Sequence, residues 1–125
     1  MQGTLLVVDD DDDVRHVVTE FLTARGYRVE AVASGQAALA LLARERFDLA
    51  VVDWTLPDMP DGALLRILGE RWPACGVLVI TGQHLDDLGD VLPAALDGRL
   101  VQKPFSLREL AARIEKELAK SPQGG

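Results

Sequence analysis

The stretch Leu5-Leu6-Val7-Val8-Asp9-Asp10 decides the fold. Its apolar residues are followed directly by acidic ones, and a short apolar run of this kind is typical of a strand buried on both faces of a parallel sheet. Two more such runs lie at Leu49–Val52 and Val77–Ile80. Three doubly buried strands in one chain predict a parallel sheet that is covered by helices on both sides.

Two weaker strands and five helices complete the predicted pattern. Tyr27–Ala31 alternates apolar and polar residues, and Leu100-Val101 is very short, as edge strands often are. Apolar residues with helical spacing lie between the strands, at 14–22, 34–42, 64–68, 85–92 and 106–118. Because such helices make right-handed crossovers, we predict an α/β fold with a five-stranded, doubly wound parallel sheet of order 2-1-3-4-5.

The composition limits the classes of function. The chain has 125 residues, 48% of them hydrophobic, which is enough for one domain with a substantial core. Its net charge of −7 disfavours direct binding to nucleic acid. The single cysteine fits a reducing cytoplasm, and no apolar segment has the length of a membrane span or a signal peptide. We expect one cytoplasmic domain over 1–120, followed by a flexible tail or the start of a linker over 121–125.

Polar residues stand at the carboxyl ends of four predicted strands. They are Asp9 and Asp10 after the first strand, Asp53 after the third, Thr81 after the fourth and Lys103 after the fifth. Ligands of open α/β sheets bind beyond these strand ends, and the predicted order makes the first and third strands neighbours. The three carboxylates are therefore expected to converge. Such crowding is costly unless a cation lies between the carboxylates, and oxygen ligands favour Mg²⁺.

Each of these residues alone also has a structural explanation. The acidic run 9–13 leads into a helix, whose N-terminus attracts acidic side chains, and Asp11–Asp13 are expected to do only that. Thr81-Gly82 is compatible with an ordinary turn. The joint placement is the specific signal, and it indicates phosphoryl transfer to an aspartate, with a metal ion and a lysine neutralising charge. Lys103-Pro104 is a candidate cis peptide bond that would aim the lysine inward.

With these motifs in order, the sequence resembles the receiver domain of bacterial two-component response regulators. The matching motifs cover nearly the whole chain: Leu6-Val7-Val8-Asp9-Asp10, the segment 53–62 with Leu56-Pro57 and Asp61-Gly62, Val79-Ile80-Thr81-Gly82, and Lys103-Pro104-Phe105. The resemblance implies a flavodoxin-like fold. It also implies a signalling protein rather than an ordinary enzyme, one that catalyses its own phosphorylation and slow dephosphorylation.

The resemblance assigns a role to each site residue. Asp53 would be the phosphoacceptor, and Thr81 and Lys103 would bind the phosphoryl group. Asp9, Asp10, Asp53 and the main-chain oxygen of Thr55 would bind Mg²⁺, for which Mn²⁺ can substitute. The donor would be a histidine kinase or a histidine phosphotransfer protein. Phosphorylation would change binding to a downstream protein or a tethered output domain through the face formed by the fourth helix, fifth strand and fifth helix.

Two residues and one loop depart from the common pattern of that family. Leu100 stands where receivers often carry an aromatic residue that swings inward, which puts the usual switch in doubt. Gly82 replaces a common alanine after Thr81, and the loop 56–62 is one residue longer than the commonest form. The motif residues needed for phosphorylation are all present, so we expect that chemistry to be retained.

Two alternative functions share parts of this pattern. A Mg²⁺-dependent phosphohydrolase of the haloacid dehalogenase type would also use Asp53, but such enzymes carry a second Asp where this chain has Thr55. A flavin-binding module would share the strand order, but the anionic loop after the first strand would repel a phosphate. Rapid turnover of phosphate esters would favour the first alternative, and a coloured protein the second.

Overall fold

The computed structural model describes residues 3–59, 62–82 and 99–120. Within these ranges, five parallel strands form one sheet of order β2-β1-β3-β4-β5, which confirms the predicted fold class and strand order. The strands are β1 (Thr4–Val8), β2 (Arg28–Val32), β3 (Leu49–Asp53), β4 (Gly76–Thr81) and β5 (Leu100–Gln102). The two weakest predicted strands are its edges.

The described residues contain α1 (Asp12–Ala24), α2 (Gly35–Leu42), α3 (Ala63–Arg71) and α4 (Leu107–Lys120). Helix α4 corresponds to the last of the five helices predicted from the sequence. The helix predicted at 85–92 and the tail predicted at 121–125 lie outside the described ranges. None of the helices described is both long and apolar enough to cross a lipid bilayer.

Local capping explains where the helices begin and end. Asp11 caps α1, since its carboxylate accepts hydrogen bonds from the main-chain N–H groups of the first turn. Gly26 follows α1 with a φ of 100°, a left-handed conformation that favours glycine. Ser34 caps α2, and the Ser106 hydroxyl accepts a hydrogen bond of 3.0 Å from Glu109 N at the start of α4. These caps were all indicated by the sequence.

Strand pairing moves several boundaries from their predicted positions. Strand β2 runs from Arg28 to Val32 because these residues pair in register with Thr4–Val8 of β1. Tyr27, predicted to begin this strand, is buried in the turn, where its N–H donates to the Leu22 carbonyl. The ladders also extend β3 to Asp53 and β4 to Thr81. Both polar residues are thus fixed by the sheet itself.

Two apolar layers hold the sheet between its helices. The layer against α1 and α4 includes Val18, Leu22, Leu110 and Ile114. The layer against α2 and α3 includes Ala38, Leu42, Leu64 and Leu68. All five residues of β3 are buried, because this strand lies at the centre of the sheet. The carboxyl end of this central strand is therefore a rigid platform for a polar side chain.

Candidate functional site

Three carboxylates meet at the carboxyl edge of the sheet, as predicted. Asp53 ends β3, while Asp9 and Asp10 directly follow the neighbouring strand β1, whose Val8 pairs with Val52. Each of the three aspartates offers an oxygen, and these oxygens all lie within 4.8 Å of one another. Asp9 and Asp53 are buried, whereas Asp10 is exposed. The cluster therefore has two fixed members in the interior and one member open to solvent.

Lys103 joins this cluster from the other side of β4. Its Nζ lies 3.3 Å from Asp53 Oδ2 and 3.4 Å from Asp9 Oδ2. The Lys103-Pro104 peptide bond is cis, as the sequence predicted. Partial burial disfavours the ammonium, but the charges of Asp53 and Asp9 outweigh that effect and raise the pKa of Lys103. The side chain is therefore a permanent cation at the acidic site.

The two oxygens of Asp53 have different partners. Oδ1 accepts hydrogen bonds of 2.9 Å from both the main-chain N–H and the hydroxyl of Thr55. Oδ2 accepts from Lys103 Nζ. These three donors fix the plane of the carboxylate at the end of β3, so Asp53 presents a defined direction to any group that approaches it.

Asp9 is the site residue whose pKa is shifted most clearly. Burial raises the pKa of Asp9 to about 6, and the Asp53 charge adds to the rise, although the Asp11 N–H and the Lys103 charge act against it. Asp9 Oδ1 accepts a hydrogen bond from Asp11 N, but the buried Oδ2 accepts none from the residues described. Among the described residues, the Lys103 ammonium at 3.4 Å is the cation that faces this oxygen, and one ammonium does not balance three carboxylates. The excess negative charge fits a divalent cation of the Mg²⁺ type.

Thr81 stands at the same edge, where it ends β4. Its side chain is fully buried, and its carbonyl accepts a hydrogen bond of 2.7 Å from Lys103 N. The β3–β4 ladder pairs Asp53 with Ile80, so Thr81 lies one residue beyond the position opposite Asp53. The structure thus brings the ends of four strands together with the residues that the sequence singled out.

Two residues near the site were not singled out from the sequence. Arg15 of α1 donates from Nη1 to the Asp9 carbonyl at 2.9 Å and forms an ion pair with Asp12. Asp58, in the loop after β3, accepts hydrogen bonds from the main-chain N–H groups of Gly35 and Gln36. Arg15 has the spacing of an ordinary helix residue, and a Pro-Asp pair indicates only a turn. Neither pattern identifies the hydrogen-bond partners of these two side chains.

The departures from the common receiver pattern have local structural consequences. Leu100 packs with the buried pair Trp54 and Val79 on one side of the sheet, so an apolar cluster that includes one aromatic ring occupies this region. A Cβ added at Gly82 would meet no atom of the described residues within 4 Å, so these residues leave room for an alanine. The longer loop is only partly described, since residues 60 and 61 lie outside the described ranges.

An apolar groove of about 500 Å³ adjoins the site between α1 and the segment that connects β5 to α4. Its lining combines Lys103 and Gly82 of the site with apolar side chains, among them Val14, Val17 and Phe105. Val17 is 46% exposed, and among the described residues it is the large hydrophobic side chain that is exposed to solvent. The groove therefore offers an apolar contact directly beside the acidic cluster.

Sequence comparison connects this site to known signalling proteins. The chain is 33% identical over 114 residues to the response regulator receiver protein CpdR of Brucella abortus, covering 91% of this chain and 95% of CpdR. It is 34% identical over 120 residues to the sensor kinase CckA of the same organism, covering 94% of this chain but only 13% of CckA. It spans about half of other relatives, including 49% of the regulatory protein VirG of Rhizobium rhizogenes.

Comparison with solved structures also finds receiver domains. A CheY-like response regulator receiver domain protein of Methanospirillum hungatei superposes with a TM-score of 0.87 and 27% identity, and both chains are covered completely. The sequence model of the response regulator receiver domain matches residues 5–115. These matches favour the receiver over the phosphohydrolase and the flavin module. The chain belongs to the response regulator receiver domain family.

Proposed function

We propose that this chain accepts a phosphoryl group on Asp53 in a Mg²⁺-dependent reaction and thereby changes its affinity for a signalling partner. The observation that carries this proposal is the position of Asp53. It is buried at the end of the central strand, within one carboxylate cluster with Asp9 and Asp10, and 3.3 Å from the Lys103 ammonium. This arrangement supports nucleophilic attack by a carboxylate whose surroundings can balance the charge of a phosphoryl group.

The proposed reaction is an in-line displacement at phosphorus. An oxygen of Asp53 forms a bond to the phosphorus atom, the bond from phosphorus to the imidazole nitrogen of the donor breaks, and that nitrogen keeps the electron pair. Asp9, Asp10, Asp53 and the main-chain oxygen of Thr55 would bind Mg²⁺ or Mn²⁺, which would neutralise charge on the transferred group. Lys103 would contact one phosphoryl oxygen, and the Thr81 hydroxyl would donate to another. Attack by water on the phosphorus atom would later break its bond to the Asp53 oxygen, which releases inorganic phosphate and restores the carboxylate.

A small-molecule donor tests this proposal directly. We expect acetyl phosphate with Mg²⁺ to add one phosphoryl group to the wild-type chain, as measured by intact mass. Chelation of the metal and the substitution Asp53→Asn should each abolish the adduct. Asp48→Asn is a matched control, because Asp48 binds Thr4 N at the start of β1, away from the site. An adduct that persists in the Asp53→Asn variant would show that another residue is the acceptor.

We also propose that the groove beside the site is the docking surface for the protein that donates the phosphoryl group. This donor is a histidine kinase or a phosphotransfer protein. A donor must bring a phosphohistidine to Asp53, and the groove reaches the site through Lys103 and Gly82. Exposed Val17 on its α1 side provides an apolar contact of the kind that anchors protein interfaces. This groove is therefore the surface that we assign to the donor.

The groove has its own test. With a histidine kinase that phosphorylates the wild-type chain, Val17→Glu should slow transfer from the kinase and leave labelling by acetyl phosphate unchanged. Ala40→Glu serves as the control, since exposed Ala40 belongs to α2, on the opposite face of the sheet. Equal rates of kinase transfer to both variants would exclude the groove as the docking surface.

The partner whose binding changes after phosphorylation is a downstream protein or a tethered output domain. Both arrangements are compatible with the relatives, because the chain covers 95% of CpdR but 49% of VirG. We place the switch on the face formed by β5, α4 and the predicted helix at 85–92. Leu100 packs against Trp54 and Val79. We propose that a shift of this apolar cluster takes the place of the aromatic movement expected in other receivers.

A further inference from the structure

The loop that follows Asp53 is attached to a second helix by Asp58. Asp58 Oδ1 lies 3.0 Å from Gly35 N and Oδ2 lies 2.9 Å from Gln36 N, so both oxygens bind the first turn of α2. These N–H groups lower the pKa of Asp58. The carboxylate is therefore an ionised cap on a helix that already has its own cap, Ser34, whose hydroxyl accepts from Ala37 N.

Packing reinforces the same attachment. Met59 is buried over the start of α2, and a Cβ added at Gly35 would lie only 2.5 Å from its sulfur and 2.7 Å from its Cγ. Met59 N also donates to the Leu56 carbonyl, which closes a turn in the loop. Leu56 itself is buried. The loop is thus held against α2 by two hydrogen bonds to a carboxylate and by one close side-chain contact.

Thr55 lies between this attachment and the acceptor. On one side its N–H and hydroxyl both donate to Asp53 Oδ1, and on the other side only Leu56 and Pro57 separate it from Asp58. A short segment that is fixed at both ends has little conformational freedom, so the Thr55 main chain is preorganised. Among the described residues, Asp58 accepts hydrogen bonds from Gly35 and Gln36 of α2 and not from the acidic cluster, so the covalent route from Asp58 to that cluster runs through Thr55.

We propose that Asp58 is a positioning residue for cation binding at the Asp9, Asp10 and Asp53 cluster, because it anchors the Thr55 main chain to helix α2. This inference rests on the proposed function, in which the Thr55 carbonyl is a metal ligand. Groups that orient a ligand from outside the coordination sphere commonly change metal affinity by about tenfold or more when they are removed. Asp58 would act in this way through the backbone.

The test compares Mg²⁺ affinity in three variants by isothermal titration calorimetry. Asp58→Ala removes both acceptors and should raise the Kd for Mg²⁺ by about tenfold. Asp58→Asn keeps one acceptor oxygen and should show a smaller rise. Ser34→Ala removes the other cap of α2 at a similar cost in stability, about 1 kcal/mol, and should leave the Kd unchanged. At saturating Mg²⁺, labelling of Asp58→Ala by acetyl phosphate should approach the wild-type rate.

The outcomes separate this inference from the proposed function. A wild-type Kd in Asp58→Ala, or an equal loss of affinity in Ser34→Ala, would overturn the positioning role while leaving the proposed function intact. A wild-type chain that neither binds Mg²⁺ nor accepts a phosphoryl group would overturn the proposed function, and this inference with it. Thermal unfolding of each variant identifies any that fails to fold, and Asp58→Asn then provides the comparison.

Discussion

The Lys103 ammonium lies 3.3 Å from Asp53 Oδ2, although the two residues are 50 positions apart in the sequence. The same ammonium lies 3.4 Å from Asp9 Oδ2, so one cation faces two buried carboxylates. In the proposed function this lysine has two opposing effects. It neutralises a phosphoryl group on Asp53, but it also repels a metal ion that approaches the same carboxylates.

These opposing effects predict that Lys103→Met strengthens Mg²⁺ binding but slows phosphorylation. Removing the ammonium should lower the Kd for Mg²⁺, as measured by calorimetry, because the carboxylates lose a competing cation. The same variant should accept the phosphoryl group from acetyl phosphate about a hundredfold more slowly, since a positioned charge is lost from the transition state. Lys116→Met, at an exposed position of α4, is the control. Weaker Mg²⁺ binding in Lys103→Met would contradict this reasoning.

A second prediction concerns the cost of the buried Asp9 charge. Its pKa is raised from 3.8 to about 6 in the folded chain, so the ionised carboxylate at neutral pH opposes folding by an amount on the order of 3 kcal/mol. Asp9→Asn should therefore raise the melting temperature without metal at pH 7. It should also abolish the further rise that Mg²⁺ produces in the wild-type chain. A lower melting temperature without metal would show that Asp9 stabilises the fold instead.

The pH dependence of stability follows with a defined sign. The folded chain binds a proton on Asp9 more tightly than the unfolded chain does, so this group makes the free energy of unfolding fall as the pH rises from about 4 to 6. Asp58 has a lowered pKa, and its contribution is lost only as the pH falls below its ordinary value of 3.8. The difference in unfolding free energy between wild type and Asp9→Asn should therefore change between pH 4 and 6, as measured by urea titration.

The affinity for Mg²⁺ should rise with pH up to about 6, whereas the contribution of Asp9 to the free energy of unfolding falls. A proton on Asp9 competes with Mg²⁺, so the apparent Kd should fall as the pH rises from 5 to 7 and level off above the Asp9 pKa of about 6. Calorimetry at several pH values measures this, and proton uptake by the buffer provides an independent readout. An apparent Kd that is constant from pH 5 to 7 would mean that Asp9 is not a ligand.

Much of the site could be predicted because the strand order is encoded in short apolar runs. Once β1 and β3 are neighbours, the residues that follow them must converge, and the approach of Asp9, Asp10 and Asp53 confirms this. The ends of β2 were misplaced because pairing with β1, and not local alternation, determines them. The same limit applies to Asp58. Its partners on α2 are 23 and 22 residues away and are defined only by how the loop packs.

The last prediction uses two glycines of α3, one that precedes its first residue and one in its last turn. Gly62 has a φ of 78°, and a Cβ there would lie 2.7 and 2.8 Å from atoms of the buried Trp54 ring. Gly62→Ala should therefore combine backbone strain of about 1 kcal/mol with overpacking that costs a similar amount or more. Gly69 lies in the last turn of the helix, and apart from the helix's own backbone its Cβ would meet no atom of the described residues within 4 Å. Gly69→Ala should stabilise the chain by about 0.5–1 kcal/mol.

Urea unfolding of both variants measures these opposite shifts in one experiment. Because both substitutions add a single methyl group, composition cannot explain a difference in sign between them. Gly62→Ala should also slow labelling by acetyl phosphate, since Trp54 directly follows the proposed acceptor Asp53 and a displaced ring is expected to shift that carboxylate. Gly69→Ala should leave the labelling rate unchanged. A stable Gly62→Ala variant with a wild-type labelling rate would show that the Trp54 ring can move away without disturbing the site.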